Sequence, residues 1–161
     1  MNFLNFIRVF FNALFDLILP HRCAACGEIV DAGGLVCKKC FDKITFISEP
    51  CCKICGIPFD YEEDKDLVCI NCINNKPSFE AAKAVFLYEG VGRDIAISFK
   101  YFDRTEFSEY FSSLMVNAGY KFFKNNEFAI DYIIPVPIHR KKLIIRKYNQ
   151  SALLARKIAE K

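Results

Sequence analysis

Residues 23–72 read CAACGEIVDAGGLVCKKCFDKITFISEPCCKICGIPFDYEEDKDLVCINC, and the spacing of their cysteines decides how the chain folds. All nine cysteines of the 161-residue chain lie in this stretch. Eight of them form four C-x-x-C pairs: Cys23/Cys26, Cys37/Cys40, Cys52/Cys55 and Cys69/Cys72. A C-x-x-C turn aims two thiolates at one ion, so four such pairs predict two zinc sites with four cysteine ligands each. A disulfide framework is the alternative, and it seldom repeats the two-residue gap. Consecutive pairing within each site is the default over interleaved pairing. Cys51 is left over and competes with Cys52 as a ligand. Gly27 and Gly56 each follow the second cysteine of a pair, where a ribbon knuckle needs a residue tolerant of positive φ. A catalytic zinc keeps an open position, usually with His or a carboxylate among its ligands, whereas four cysteines close the shell. The expected role of the metal is therefore structural, in a reducing, cytoplasmic setting.

The rest of the composition narrows the classes. The chain is 53% hydrophobic and 25% charged, with only 7 Gly and 6 Pro, which excludes a disordered tail or a linker. Net charge is +3, and eight zinc-bound thiolates with two Zn2+ would bring it to −1, so overall basicity points to no partner. Acidic residues outnumber basic ones between Cys23 and Cys72, which disfavours phosphate contact there. Residues 3–19 (FLNFIRVFFNALFDLIL) place Asn5, Arg8, Asn12 and Asp16 on one stripe of an otherwise apolar helix that stops at Pro20. The run is too short and too charged to span a bilayer and lacks a cleavage site. It reads as an amphipathic helix packed on protein; with one basic residue on its polar stripe, attachment to a membrane is the minority reading.

Beyond Cys72 the pattern changes. Ala84–Tyr88 looks like a strand closed by Glu89-Gly90. Helical spacing follows from Gly92 to about Tyr101 and from Thr105 to about Phe123, and Asp131–Val136 (DYIIPV) has the apolar, β-branched content of a buried parallel strand. A basic loop comes next, and a last helix capped by Asn149 or Ser151 runs to Lys161. This order reads as α/β. Residues 138–161 hold eight Lys/Arg and one Glu, whereas residues 1–137 hold fourteen Lys/Arg and eighteen Asp/Glu. A basic loop after a parallel strand lies where α/β folds bind ligands, and Arg140, Lys141, Lys142, Arg146 and Lys147 suit phosphate; a solvated basic face is the equal alternative.

The repeated C-x-x-C-G ahead of an α/β half resembles the ComF family of competence-associated, phosphoribosyltransferase-like proteins. Tyr88-Glu89-Gly90 with Arg93, Phe99-Lys100-Tyr101 and Asp131 leading to Pro135-Val136-Pro137 are similar too, as is Arg146-Lys147-Tyr148-Asn149-Gln150, where the family has Arg-Gly-Phe-Asn-Gln. The resemblance runs in order over essentially the whole chain. The chain thus divides into an amphipathic helix over 1–20, a double zinc ribbon over 21–78 and, as the resemblance implies, the N-terminal part of a type I phosphoribosyltransferase-like α/β domain over 79–161. Lys147 stands where the family has Gly, and a side chain is strained there if the backbone has positive φ. The acidic pair and Thr-Thr-Gly loop that cradle phosphoribosyl pyrophosphate in such enzymes have no counterpart: there is no Asp-Asp pair, and the only Thr residues are Thr45 and Thr105. The chain accordingly reads as a catalytically incomplete N-terminal part, from a split gene, a decayed gene or a truncated sequence.

Three functions compete. The first is a transferase-related protein linked to uptake of transforming DNA, with Lys100, Arg140, Arg146, Asn149 and Gln150 on the ligand-facing side. It would use phosphoribosyl pyrophosphate and Mg2+ only if a missing C-terminal half is supplied, and it would be inactive alone. The second is a non-catalytic zinc-ribbon interaction module that docks a separately encoded C-terminal half or other competence proteins. The third is nucleic-acid binding through 138–161, ranked last because only Tyr148 interleaves with the basic residues. The acceptor substrate and the oligomeric state are not specified by the sequence.

Overall fold

The computed structural model describes residues 20–31, 34–60, 67–101, 104–124 and 130–161. The amphipathic helix expected over 3–19 lies outside these residues. Six helices occur among them: α1 Lys38–Phe41, α2 Ile70–Asn74, α3 Gly90–Tyr101, α4 Phe107–Lys124, α5 Arg140–Arg146 and α6 Gln150–Ala159. None of the helices among the described residues is long and apolar enough to cross a membrane.

The cysteine repeat is a repeat of backbone as well as of sequence. The Cys23 amide donates to the Glu28 carbonyl and the Cys52 amide to the Ile57 carbonyl, both at 2.8 Å. Gly27 donates back to Cys23 and Gly56 to Cys52, both at 2.9 Å. Single antiparallel bridges close the two knuckles, Arg22 with Ile29 and Cys51 with Pro58. Both glycines have positive φ, 76° and 73°, as the spacing predicts. Without a Cβ each can bend the chain back beneath its first sulfur. The second pair of each unit opens a short helix, α1 or α2, with Cys37 and Cys69 at the N-cap in almost the same conformation (φ −70° and −69°).

A strap over residues 82–87 joins the two units. The Ala82 amide donates to Ile54 in the second ribbon, and the Ala82 carbonyl lies so close over Gly56 that an added Cβ would meet it at 2.7 Å. Further on, Ile47 donates to Val85 and Leu87 to Thr45, each at 2.9 Å, in the tail of the first ribbon. The strand expected at Ala84–Tyr88 is thus reduced to one antiparallel bridge, Phe46 with Phe86.

The apolar core lies where the first ribbon meets the helices. Helix α3 carries Val91, Ile95 and Phe99 four residues apart, and α4 carries Phe107, Phe111 and Leu114, so each presents one stripe. Ile95 and Phe107 are fully buried. The ribbon side contributes Ala24, Ala25, Leu35, Val36 and Ile44, and α6 contributes Leu154. Phe107 and Phe111 stack with centroids 5.5 Å apart, and Phe99 meets Phe111 edge-on at 5.3 Å. Ser108 and Ser112 are buried on the same helix, where their hydroxyls donate to the Thr105 and Glu109 carbonyls. Such local bonds satisfy the oxygen while leaving room for the neighbouring rings. At the helix ends, Lys161 and Lys157 of the C-terminal segment reach Glu109 of α4 at 2.7 and 3.4 Å.

The expected parallel sheet does not form among the described residues. Residues 130–138 are extended but carry no backbone–backbone hydrogen bond to any of them. Strands exist only as pairs, because the ladder satisfies their N–H and C=O groups. Tyr132 and Ile134 are 83% and 84% exposed. The basic loop expected after this segment is partly helical: His139 caps α5 by accepting from the Lys141 amide at 3.3 Å. The last helix begins as expected, with the Asn149 side chain accepting from the Ser151 amide at 3.0 Å.

Candidate metal centres

The knuckle and the short helix of each unit bring four sulfurs together. Cys23, Cys26, Cys37 and Cys40 form one group and Cys52, Cys55, Cys69 and Cys72 the other, with all four Sγ atoms of a group within 4.8 Å of one another. Consecutive pairs share a site, so the default pairing holds. Cys26 and Cys37 sulfurs are 3.7 Å apart, and those of Cys55 and Cys69 3.6 Å. Zinc–sulfur bonds of about 2.3 Å in a tetrahedron set sulfur–sulfur edges near ~3.8 Å, which these distances match. They are far too long for S–S bonds of ~2.05 Å, and all nine cysteines are free. Two four-cysteine sites of this kind suit two structural zinc ions, whose closed shells leave no position for a substrate.

The electrostatics of the thiols differ within each group in the same way twice. Burial pushes the Cys23 thiol up, but the amides of Cys26, Cys37 and Ala25 face its sulfur and outweigh that, bringing it to about 6. Burial acts on Cys52 in the same sense, and the amides of Cys69, Cys55 and Ile54 again outweigh it, bringing that thiol to about 6. The Cys69 amide donates to the Cys52 sulfur at 3.4 Å. Burial, with the neighbouring sulfurs, pushes Cys40 and Cys72 up to about 12. The backbone thus prepares one anionic sulfur per site, and a bound dication would expel the remaining protons.

Cys51 belongs to neither group. It holds the bridge position ahead of the second knuckle, which Arg22 holds ahead of the first. Its buried sulfur accepts from Lys83 Nζ at 3.0 Å.

The five residues expected to face a ligand are placed as follows. Gln150 is buried, and its Nε2 donates to the Lys100 carbonyl at 3.0 Å. Next to it the Tyr148 hydroxyl donates to the Phe99 carbonyl. Arg146 lies over the Tyr101 ring at 4.7 Å and donates to its hydroxyl at 2.8 Å. Asn149 divides its amide between the cap of α6 and the Val136 carbonyl, 3.1 Å away. Lys100 stands over the Tyr88 ring at 5.3 Å. Arg140 is exposed in the first turn of α5. Three of the five, Lys100, Arg146 and Gln150, therefore gather at the end of α3, where their polar groups satisfy one of the last carbonyls of that helix or pack on nearby tyrosines; Asn149 turns instead to the cap of α6 and to Val136, and Arg140 does not join them. Sequence reasoning missed this clamp, including Tyr148, because it joins residues 45 to 50 apart in the chain. Lys147 does have positive φ, 63°, and is the one such non-glycine residue among those described.

The double zinc ribbon domain family matches residues 14–73, a span that contains all eight predicted ligands. No curated protein and no solved structure matches the chain.

Proposed function

We propose that this is a ComF-like protein of the phosphoribosyltransferase-related kind, acting in the cytoplasm in competence and DNA uptake, with its double zinc ribbon as a structural head. One observation carries the reading. Two motifs of the resemblance, Phe99-Lys100-Tyr101 and Arg146 to Gln150, are far apart in sequence but close on each other through three side-chain bonds. The same clamp engages Arg146 and Gln150 in structure, in keeping with residues that do not turn over phosphoribosyl pyrophosphate by themselves. Catalysis would need the acidic pair and phosphate loop, with their Mg2+, from further polypeptide. In the test, purified zinc-loaded protein is incubated with phosphoribosyl pyrophosphate, Mg2+ and a range of acceptor bases, and the gene is deleted in its host. No pyrophosphate release and a fall in transformation frequency are expected. Turnover by the purified chain, or undiminished transformation, would overturn the corresponding half of the proposal.

A second reading, a docking module, is favoured by the exposed apolar side chains Tyr132, Ile134 and Val136 on the extended segment and Ile144 and Ile145 on α5. An extended segment without strand neighbours among the described residues suits addition to a partner's sheet. A stoichiometric companion should then be recovered by pull-down from native cells, and its repeated absence would sink the idea.

A further inference from the structure

We propose that Cys51 and Lys83 form a redox cross-linking pair, joined through a bridging oxygen as Lys–NH–O–S–Cys when the protein meets peroxide. Three observations point there, none of which depends on the ComF reading. Cys51 is the one cysteine outside both zinc sites, so its sulfur is not committed to a metal. Its sulfur is 3.0 Å from Lys83 Nζ, and the two residues are 32 apart in the chain, so the contact is made by the fold. Both backbones are also held. Cys51 is paired with Pro58 in the second knuckle, and Ala82, next to Lys83, is bonded to Ile54 and seated over Gly56. Held atoms with one oxygen's width between them favour closure, because little chain entropy remains to be lost.

The step balances with hydrogen peroxide as the oxidant. One lysine ammonium, one thiol and two peroxide molecules give the N–O–S bridge, three waters and one proton released to solvent. The thiol S–H bond and two N–H bonds break, and one N–O and one O–S bond form. Sulfur loses two electrons and nitrogen two, and the two peroxide O–O bonds accept all four. Lys83 is exposed, which gives the oxidant a route to the buried sulfur from that side. The bridge would fasten the strap to the second ribbon while leaving all eight zinc ligands in place.

The test treats the full zinc-loaded chain with dilute hydrogen peroxide and measures intact mass, zinc content and a tryptic map. A gain of about 14 Da is expected, one oxygen added and two hydrogens lost, with both zinc ions retained and the gain reversed by dithiothreitol. The map should show one joined peptide containing Cys51 and Lys83, with no cleavage after Lys83. Lys83→Arg and Cys51→Ser should each abolish the joined peptide and keep their zinc. Lys83→Arg changes an exposed side chain and serves if Cys51→Ser fails to fold. Zinc release without a joined peptide, oxidation of Cys51 to sulfinic acid alone, or the same mass gain in Lys83→Arg would overturn the proposal.

Discussion

Lys147 offers the sharpest test of the backbone. It closes α5 with φ 63° and ψ −18°, in the left-handed region. That region costs an L-residue about 1–2 kcal/mol, which glycine does not incur. Glycine returns about 0.4–1 kcal/mol of this through the greater freedom of the unfolded chain. Lys147→Gly should therefore stabilise the zinc-loaded protein by about 0.5–1 kcal/mol. For a chain of this size that raises the melting temperature by about 1–4 °C, or the urea midpoint by a few tenths of a molar with a slope of about 2 kcal/mol/M. The control is Lys147→Ala, which removes the long side chain but keeps the Cβ and so keeps the strain. Urea unfolding of the three proteins at saturating zinc, followed by circular dichroism, reads the difference. If glycine gives no gain, or alanine gains as much, backbone strain is not what distinguishes this position.

Four further outcomes follow from the same geometry. Metal analysis should find two zinc ions per chain. Because Ala24, Leu35 and Ile44 of the first ribbon line the core, chelation should abolish near-ultraviolet aromatic signals from the helices as well as ribbon structure. Zinc affinity should rise with pH: Cys40 and Cys72 hold protons to about 12 without metal, so binding must release protons, and affinity falls as pH falls; zinc titration in a weakly buffered indicator solution would measure that release. Phe107→Ala empties a fully buried site and should cost about 3–5 kcal/mol in the same urea assay.

Much of this was written in the local sequence. The C-x-x-C spacing marked the four pairs of ligands, with consecutive pairing only as the default and Cys51 still competing with Cys52, and the glycine after each first pair marked the positive-φ knuckles, because both depend on a few adjacent residues; the fold supplies the grouping itself. The long helices α3 and α4 and the capped α6 were legible to within about two residues at most ends, since each carries its own apolar stripe or cap. Helix α5 was not, because a histidine cap ahead of a basic run is a weak start signal. The 131–136 segment has the composition of a strand, yet a strand is defined by neighbours, which composition does not supply. Cys51 looked like a spare ligand. Aligning the two units at 29 residues, Cys23 on Cys52, would have set it opposite Arg22 and marked it as a bridge residue. The clamp on α3 lay beyond sequence reasoning because no local pattern announces which carbonyls a distant Tyr148 or Gln150 will cap.

The two knuckle glycines share a conformation but not a neighbourhood. Around Gly27 a Cβ would meet nothing within 4 Å among the described residues, whereas at Gly56 it would collide with the Ala82 carbonyl of the strap. For Gly27 the barrier to substitution among the described residues is torsional, and asparagine, which tolerates the left-handed region, can stand in. Gly56 is confined by torsion and by space together, so no other residue fits without displacing the strap. Two copies of one unit have thus acquired unequal freedom to drift. The first can vary at its turn, while the second is locked by the segment that crosses over it.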